Sequence, residues 1–330
     1  MLSPRAVVGV LLSLTVPLSA SAQAWLPDKG SGGISIQYQN DFVRDHALGS
    51  TLVDSGHIQT HEAIADVVYG VTDRIAIRFS LPYIVSKYDG PKPHVIEGLP
   101  KLDNGLYHGT FQDVRLDVRY AISPNHALAV TPFVTAIVPS HQYAYFAHSA
   151  VGSDLQETQV GSYVARTLDP IVPQLFVQAR LAYGFVHPIL GISHNRTYLD
   201  LEVGYAVRPA VRVFLVATSF ATHGGITYPA PPLVAKDVLI ALGGLPYWQH
   251  HDQIGREQNA NLGLGGAVAI TRSLDLFGSI GTNMIEVNGH VMARGLSAGV
   301  TWHFSRNDVL GDFREEPRKM VARCVCGKAR

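Results

Sequence analysis

The chain has 330 residues, 47% of them hydrophobic, and its 26 basic side chains balance 26 acidic ones. A zero net charge argues against a nucleic-acid-binding protein, because such proteins carry a basic excess. Beyond the first 18 residues, the apolar positions are dispersed in alternation and never reach the roughly 20 consecutive residues of a membrane-spanning helix.

The first segment has the features of a secretory signal peptide. Arg5 precedes an apolar stretch from Ala6 to Leu18, and Ala20-Ser21-Ala22 supplies a small-x-small cleavage site. Because this stretch is too short to cross about 30 Å of hydrocarbon comfortably, cleavage is favoured over a membrane anchor. We predict a signal peptide over residues 1–22, and a second site of the same kind ends at Ala24.

Downstream, twelve runs alternate between apolar and polar residues with a period of two, which predicts strands with one apolar face. In the clearest run, Val114, Leu116 and Val118 alternate with charged residues. The run at 156–166 is the weakest, since its two faces are poorly separated. In chain order the runs cover 34–43, 60–71, 75–83, 113–120, 128–138, 156–166, 172–185, 197–207, 211–220, 259–270, 274–285 and 291–304.

Short turns and longer connections alternate between these runs. A recurring short motif, as in Tyr69-Gly70-Val71-Thr72-Asp73, ends one run, and a tight turn leads into the next. The connections at the other end of the runs are mostly longer, and the longest spans 222–257. The pattern is typical of an all-β outer-membrane protein with short periplasmic turns and long outer loops. We predict a single transmembrane antiparallel up-and-down β-barrel of about 12 strands over 23–304. A soluble β-sandwich would not need this alternation of loop length.

From residue 305 the alternation ends and the composition becomes charged. We predict that 305–330 form a charged, mobile periplasmic tail. The two cysteines, Cys324 and Cys326, lie in this tail. Their spacing matches neither a zinc nor a thioredoxin motif, so a dithiol without structural duty is favoured over a metal or redox pair.

The charged and amide side chains of the runs are expected to face the lumen, because Arg or Lys at the lipid midplane costs about 2–4 kcal/mol. Both signs occur, which allows either a polar path for a small solute or a plug of ion pairs. The intermediate strand number favours a plug, or a plug with a narrow path, over an open pore. The predicted lumen residues are Glu62, Asp66, Arg78, Arg115, Asp117, Arg119, Gln178, Arg180, Asp200, Glu202, Asn261 and Asp275.

Aromatic residues recur near one end of successive runs. Amphipathic rings prefer the headgroup level of a bilayer, so we predict an aromatic girdle at the periplasmic interface. Its members are Tyr69, Tyr120, Tyr163, Tyr205, Trp302 and Phe304.

The long connection at 222–257 contains an apolar run followed by two aromatic residues. Leu239, Ile240, Tyr247 and Trp248 are candidates for contact with an apolar ligand. A loop that packs on itself or on lipopolysaccharide sugars is the alternative. His250-His251-Asp252 in the same connection contains metal-ligand residue types, but adjacent positions seldom converge on one ion, so a solvated loop is favoured and no metal site is predicted.

A catalytic site is not expected. Ser193-His194 places a hydroxyl beside an imidazole, but a nucleophile and its base must meet in space with a third group that orients the base. No cofactor is predicted, and a rim hydrolase is disfavoured.

Three stretches resemble one known family: Ala24-Trp25-Leu26-Pro27-Asp28-Lys29-Gly30-Ser31-Gly32, Tyr69-Gly70-Val71-Thr72-Asp73-Arg74-Ile75 and Phe111-Gln112-Asp113-Val114-Arg115-Leu116-Asp117-Val118-Arg119-Tyr120. They are similar to the outer-membrane barrel family named for the meta-pathway of phenol degradation. The resemblance implies transport of hydrophobic or aromatic compounds.

Together, these observations predict passive passage or capture of a small, hydrophobic or aromatic molecule in the outer membrane of a Gram-negative bacterium. The alternative is a structural or adhesive barrel with a plugged lumen. The expected partners are outer-membrane lipid, lipopolysaccharide and the barrel-assembly machinery.

Overall fold

The structure is a computed structural model that describes residues 24–91, 94, 97–123, 127–228 and 235–305. The predicted signal peptide over 1–22, the tail beyond 305 and both cysteines lie outside the described residues.

The described chain is dominated by antiparallel β-strands. The strands are β1 (Gly32–Leu48), β2 (Thr51–Val53), β3 (His57–Gly70), β4 (Ile75–Asp89), β5 (His108–Phe111), β6 (Asp113–Tyr120), β7 (Leu128–Pro139), β8 (Glu157–Thr167), β9 (Leu175–Val186), β10 (His194–Arg208), β11 (Val211–Gly224), β12 (Gln258–Ala269), β13 (Leu274–Val287) and β14 (His290–Phe304).

Twelve of these strands close a cylinder. Each pairs with its sequence neighbours, and β14 pairs with β1, so the sheet has no free edge. The short β2 folds back on the end of β1. The short β5 pairs with β4 beside β6 and is separated from β6 only by Gln112, so β5 and β6 together form one wall strand. The predicted twelve-stranded up-and-down barrel is confirmed.

Several strands continue further toward the long connections than the polarity pattern predicts. β1 extends past Val43 to Leu48, and its pairing with β14 shifts register on both sides of Val43. Such a bulge reverses which side chains point inward. The alternation therefore breaks at this point although the backbone pairing continues.

The two faces of the wall differ in chemistry. Ile36 pairs with Val300 on the outer face, where their side chains are exposed, and the next pair, Gln37 with Gly299, lies on the inner face. Large apolar side chains such as Leu201, Leu264 and Ile280 are exposed around the whole outer surface. An apolar surface of this extent fits contact with acyl chains rather than water.

The longest connection contains three short helices, α1 (Ala235–Gly243), α2 (Leu245–Gln249) and α3 (His251–Ile254). α1 ends at Gly243 and the next residue, Gly244, has a φ of 77° that favours glycine. Pro246 then lies in the first turn of α2, where a missing amide hydrogen is tolerated. In the described part of the chain, no helix combines the length and apolar character needed to span a bilayer.

Candidate functional site

The register of the strands places every predicted lumen residue on the inner face. Paired residues of an antiparallel sheet share a face, and the pairs Asp200 with Arg180 and Asp117 with Arg78 both lie inside. The complete inner-face set comprises Glu62, Asp66, Arg78, Arg115, Asp117, Arg119, Gln178, Arg180, Asp200, Glu202, Asn261 and Asp275.

Most of these charges meet an opposite charge nearby. Arg78 contacts Asp66 at 2.7 Å, and Arg180 contacts Asp200 at 3.0 Å. Asp117 accepts hydrogen bonds from Arg119 and from the Thr135 hydroxyl. Breaking a buried pair leaves an uncompensated charge, so these contacts hold the inner side chains in fixed positions.

Two further contacts continue the polar lining. Gln178 donates from Nε2 to Glu202 at 2.7 Å. Near the short turns, Asp275 contacts Arg212 at 3.5 Å and His303 at 3.2 Å. The polar lining therefore runs along the barrel from its middle to its short-turn end.

Arg180 lies at the centre of a group of aromatic rings that the sequence did not indicate. Its guanidinium carbon is 5.1 Å from the centre of the Phe133 ring and 5.6 Å from that of Tyr198. It also donates to Gln159. Tyr198 in turn donates to Glu157 at 3.0 Å. Cation–π contacts are strongest where water is excluded. Arg180 thus joins inward side chains of four consecutive strands, β7 to β10.

Weak local signals explain why some of these residues were missed. Glu157 and Gln159 lie in the run with poorly separated faces. Arg196, whose guanidinium lies 3.7 Å from Glu157, comes one residue before the predicted start of its strand. Phe133 and Tyr198 are aromatic on the inner face, where polarity alone predicts an outward position.

Tyr163 does not join the predicted girdle, and its assignment there was wrong. Its ring is 6% exposed, its strand neighbours Thr131 and Arg180 face inward, and Arg119 lies 4.9 Å from its ring centre. The physical reason is that successive side chains of a strand point to opposite faces, and here Val164, not Tyr163, occupies the outward position.

The other predicted girdle residues lie near the short-turn end and are at least partly exposed. Trp302 and Phe304 are in contact, with ring centres 5.4 Å apart, and Phe304 is half-buried. The exposed girdle residues are Tyr69, Tyr120, Tyr205 and Trp302.

The described N-terminus enters the barrel at its short-turn end. Ala24 is 1% exposed, and its carbonyl accepts a hydrogen bond from the Thr131 hydroxyl at 2.7 Å. Trp25 packs edge-on against Phe176. A cleavage after Ala22 retains the Ala24 carbonyl, whereas a cleavage after Ala24 removes it.

Halfway along β12, β13 and β14, the inward positions of the barrel wall carry only small residues. We call this part of the barrel the small-residue wall. Opposite it, β6 to β11 carry the arginines and rings described above. The inward side chains therefore differ in size around the barrel. The small-residue wall is formed by Gly263, Ser279, Gly281, Gly295 and Ser297.

Buried oxygen atoms without a protein hydrogen-bond partner lie beside this wall. Among the described residues they include Gln37 Oε1 and Asp41 Oδ1 on β1 and Asn261 Oδ1 on β12. A buried polar group that stays unpaired costs about 1–3 kcal/mol. These oxygens therefore need water or a polar solute as a partner.

The predicted ligand-contact residues of the long connection pack against protein. Leu239 and Trp248 are buried in a core cluster with Phe146 and Tyr228, and Ile240 and Tyr247 pack against it. Burial raises the pKa of Tyr228 well above its ordinary value, and the charge of Asp252 adds to the effect. The connection thus packs on itself, as in one alternative above, and also on a neighbouring loop through Phe146.

Ser193 and His194 do not form a catalytic pair. His194 is fully buried and its Nδ1 faces the Ile192 carbonyl at 3.0 Å, whereas Ser193 is exposed. The two adjacent side chains therefore point in different directions.

Comparison with solved structures assigns the architecture. The structure aligns with the crystal structure of an outer-membrane channel from Pseudomonas putida F1 at a TM-score of 0.65 and 13% identity, covering 86% of this chain and 99% of that one. The fold is therefore that of an outer-membrane β-barrel.

Two other barrels align less well and add nothing to this assignment. The translocator domain of the autotransporter NalP from Neisseria meningitidis has a TM-score of 0.47, with 11% identity and coverage of 84% of this chain and 90% of that one. The NanC porin has a TM-score of 0.46, with 10% identity and coverage of 82% and 98%. No family model and no curated protein matches the sequence.

Proposed function

We propose that this protein is an outer-membrane channel that passes small solutes passively along the small-residue wall. The observation that carries the proposal is the pairing of that wall with buried lumen oxygens that have no protein partner. A narrow hydrated path beside a packed set of arginines and rings explains both features.

The aromatic lining supports a class of solute. Phe133, Tyr198 and Phe220 lie on the inner face and are accompanied by arginines. Planar solutes gain favourable stacking on such rings, and a guanidinium adds attraction for π-systems and carboxylates. We therefore favour small aromatic solutes, in line with the resemblance to the phenol meta-pathway family.

The apolar outer face supports the proposed setting. The barrel lies in the outer membrane of a Gram-negative bacterium, with lipid around its wall and lipopolysaccharide at its long-loop end, and the barrel-assembly machinery inserts it. The proposed activity is passage rather than catalysis.

A substitution on the small-residue wall tests passage directly. Ser297 is 9% exposed and faces the lumen, while its neighbour Ala298 faces outward. In planar bilayers, we expect wild-type protein to raise conductance in discrete steps. Ser297→Trp should reduce the step to less than about half, because a ring fills the free cross-section of a narrow barrel.

Ala298→Trp is the matched control, since it adds the same ring to the lipid face of the next position. Its conductance should equal that of wild type. If neither wild type nor either variant raises conductance above that of a protein-free bilayer, the plugged structural or adhesive barrel is the better account. The ion pairs around Arg180 are the observation that favours that second function.

A further inference from the structure

Five histidines from distant parts of the sequence meet at the long-loop end of the barrel. His46 lies near the end of β1, His290 begins β14, and His94, His148 and His251 come from three connections. Ring centres are 4.2 Å apart for His46 and His290, 4.5 Å for His46 and His148, and 4.2 Å for His94 and His148. His94 and His251 stack at 5.3 Å. We call this group the histidine cluster.

Two of these imidazoles are held by acceptors at Nδ1. His94 Nδ1 lies 3.1 Å from Asp103 Oδ2, and His251 Nδ1 lies 2.7 Å from the Trp248 carbonyl oxygen. A carbonyl can only accept, so the hydrogen of a neutral His251 is on Nδ1 and the lone pair is on Nε2. Metal-binding histidines almost always have such a partner on the nitrogen that does not bind the ion.

Asp103 is itself fixed in place. It is 1% exposed and accepts hydrogen bonds from the backbone amides of His148 and Ser149, each at 3.0 Å, and from the Ser149 hydroxyl at 2.9 Å. A buried carboxylate with this many donors is a rigid support for the His94 ring.

Three Nε2 atoms of the cluster have no hydrogen-bond partner among the described residues. Nε2 of His46, His94 and His148 is buried and makes no hydrogen bond to any described residue, and His94 is 3% exposed. Three unpaired imidazole nitrogens in one cluster are costly. An ion bound by His94 removes that cost for the Nε2 of this ring.

Three groups in this cluster have donor atoms spaced for a single ion, and one of them consists of His94, His251 and Asp252. Nε2 of His251 lies 3.1 Å from Asp252 Oδ1, and Nε2 of His94 lies 4.0 Å from Asp252 Oδ2. One ligand atom from each of the three residues lies within 4.8 Å of the others. Ligands about 2.0–2.2 Å from an ion fit such separations.

We propose that His94, His251 and Asp252 bind a divalent transition-metal ion of the Zn²⁺ type, with Asp103 and the Trp248 carbonyl as orienting partners. Two imidazoles and a carboxylate suit zinc and its neighbours in the series rather than Ca²⁺ or Mg²⁺, which prefer oxygen ligands.

The ion would join two connections. His94 belongs to the connection after β4, whereas His251 and Asp252 belong to α3 beside the packed Trp248, whose ring stacks on both histidines. Metal binding therefore stabilises the loops over the long-loop end, independently of whether solutes pass through the lumen.

The test is zinc binding by the purified full-length mature protein in detergent after treatment with EDTA. Calorimetric titration with ZnCl₂ should give one or two sites for wild type, at least one of which is lost in His251→Gln. His250→Gln is the matched control, because His250 lies in the same connection and contacts Tyr145 and Gln253 rather than the cluster. It should bind as wild type does.

Two further variants keep the test decisive. Asp103→Asn should weaken binding about 10–100-fold through loss of the orienting carboxylate. Asp252→Asn removes a ligand whose side chain is 31% exposed, so it covers the case in which His251→Gln fails to fold. Co²⁺ should give the visible absorption of a site with nitrogen and oxygen ligands. Equal zinc affinity of wild type, His251→Gln and Asp252→Asn would overturn the proposal.

Discussion

Arg180→Met is expected to lower the free energy of unfolding by about 3–5 kcal/mol, the usual cost of breaking a buried ion pair. The substitution leaves Asp200 without its partner at 3.0 Å and removes the cation between Phe133 and Tyr198. Reversible urea unfolding in lipid vesicles, followed by tryptophan fluorescence, measures the change.

Two comparisons separate this effect from a general sensitivity to arginine loss. The double variant Arg180→Met/Asp200→Asn should recover part of the lost stability, since it no longer contains an isolated buried charge. Arg44→Met removes a pair with Asp45 in which the arginine side chain is 51% exposed, and exposed pairs contribute about 0–1 kcal/mol. Equal losses for Arg180→Met and Arg44→Met would contradict the central role given to Arg180.

Leu201→Arg is expected to cost about 2–4 kcal/mol of folding free energy in a bilayer, the cost of an arginine on the lipid face at the midplane. Leu201 lies halfway along β10 and is exposed on the outer face. The same unfolding titration in vesicles measures the loss.

Val207→Arg is the depth control, because Val207 shares the outer face of β10 and lies near its short-turn end. Near the interface the cost falls to about 0–1 kcal/mol. If the two variants lose the same stability, the assignment of the outer face to lipid at this depth is wrong.

The wall of the barrel was predictable from local patterns alone. In a strand whose polar and apolar residues alternate, the sequence itself identifies the inward and outward faces. Positions such as Asp66, Arg115 and Glu202 could therefore be assigned without any knowledge of neighbouring strands. The same rule fails where both faces are apolar or aromatic, as at Phe133 and Tyr163, because polarity then does not indicate which alternate positions face inward.

The long-loop end was not predictable in this way. α1 and α2 are too short to show a helical period, and Trp248 is buried by Phe146 and Tyr228 from other parts of the sequence. The five members of the histidine cluster come from five separate segments of the chain. Only His251 among them lies in a motif that is visible in the sequence. The entry of Ala24 into the lumen likewise depends on a contact with Thr131, 107 positions away.

The proposed channel requires that the outer face of the barrel contacts acyl chains while its polar side chains lie within. The three tryptophans of the chain suit this question, because Trp302 is 44% exposed on the outer face, whereas Trp248 is 5% exposed in the loop cluster. The most direct measurement is fluorescence quenching by brominated lipid in vesicles, with Trp302 or Trp248 as the single tryptophan and the others replaced by Phe. We expect strong quenching of Trp302 and little of Trp248. An unquenched Trp302 would contradict the account.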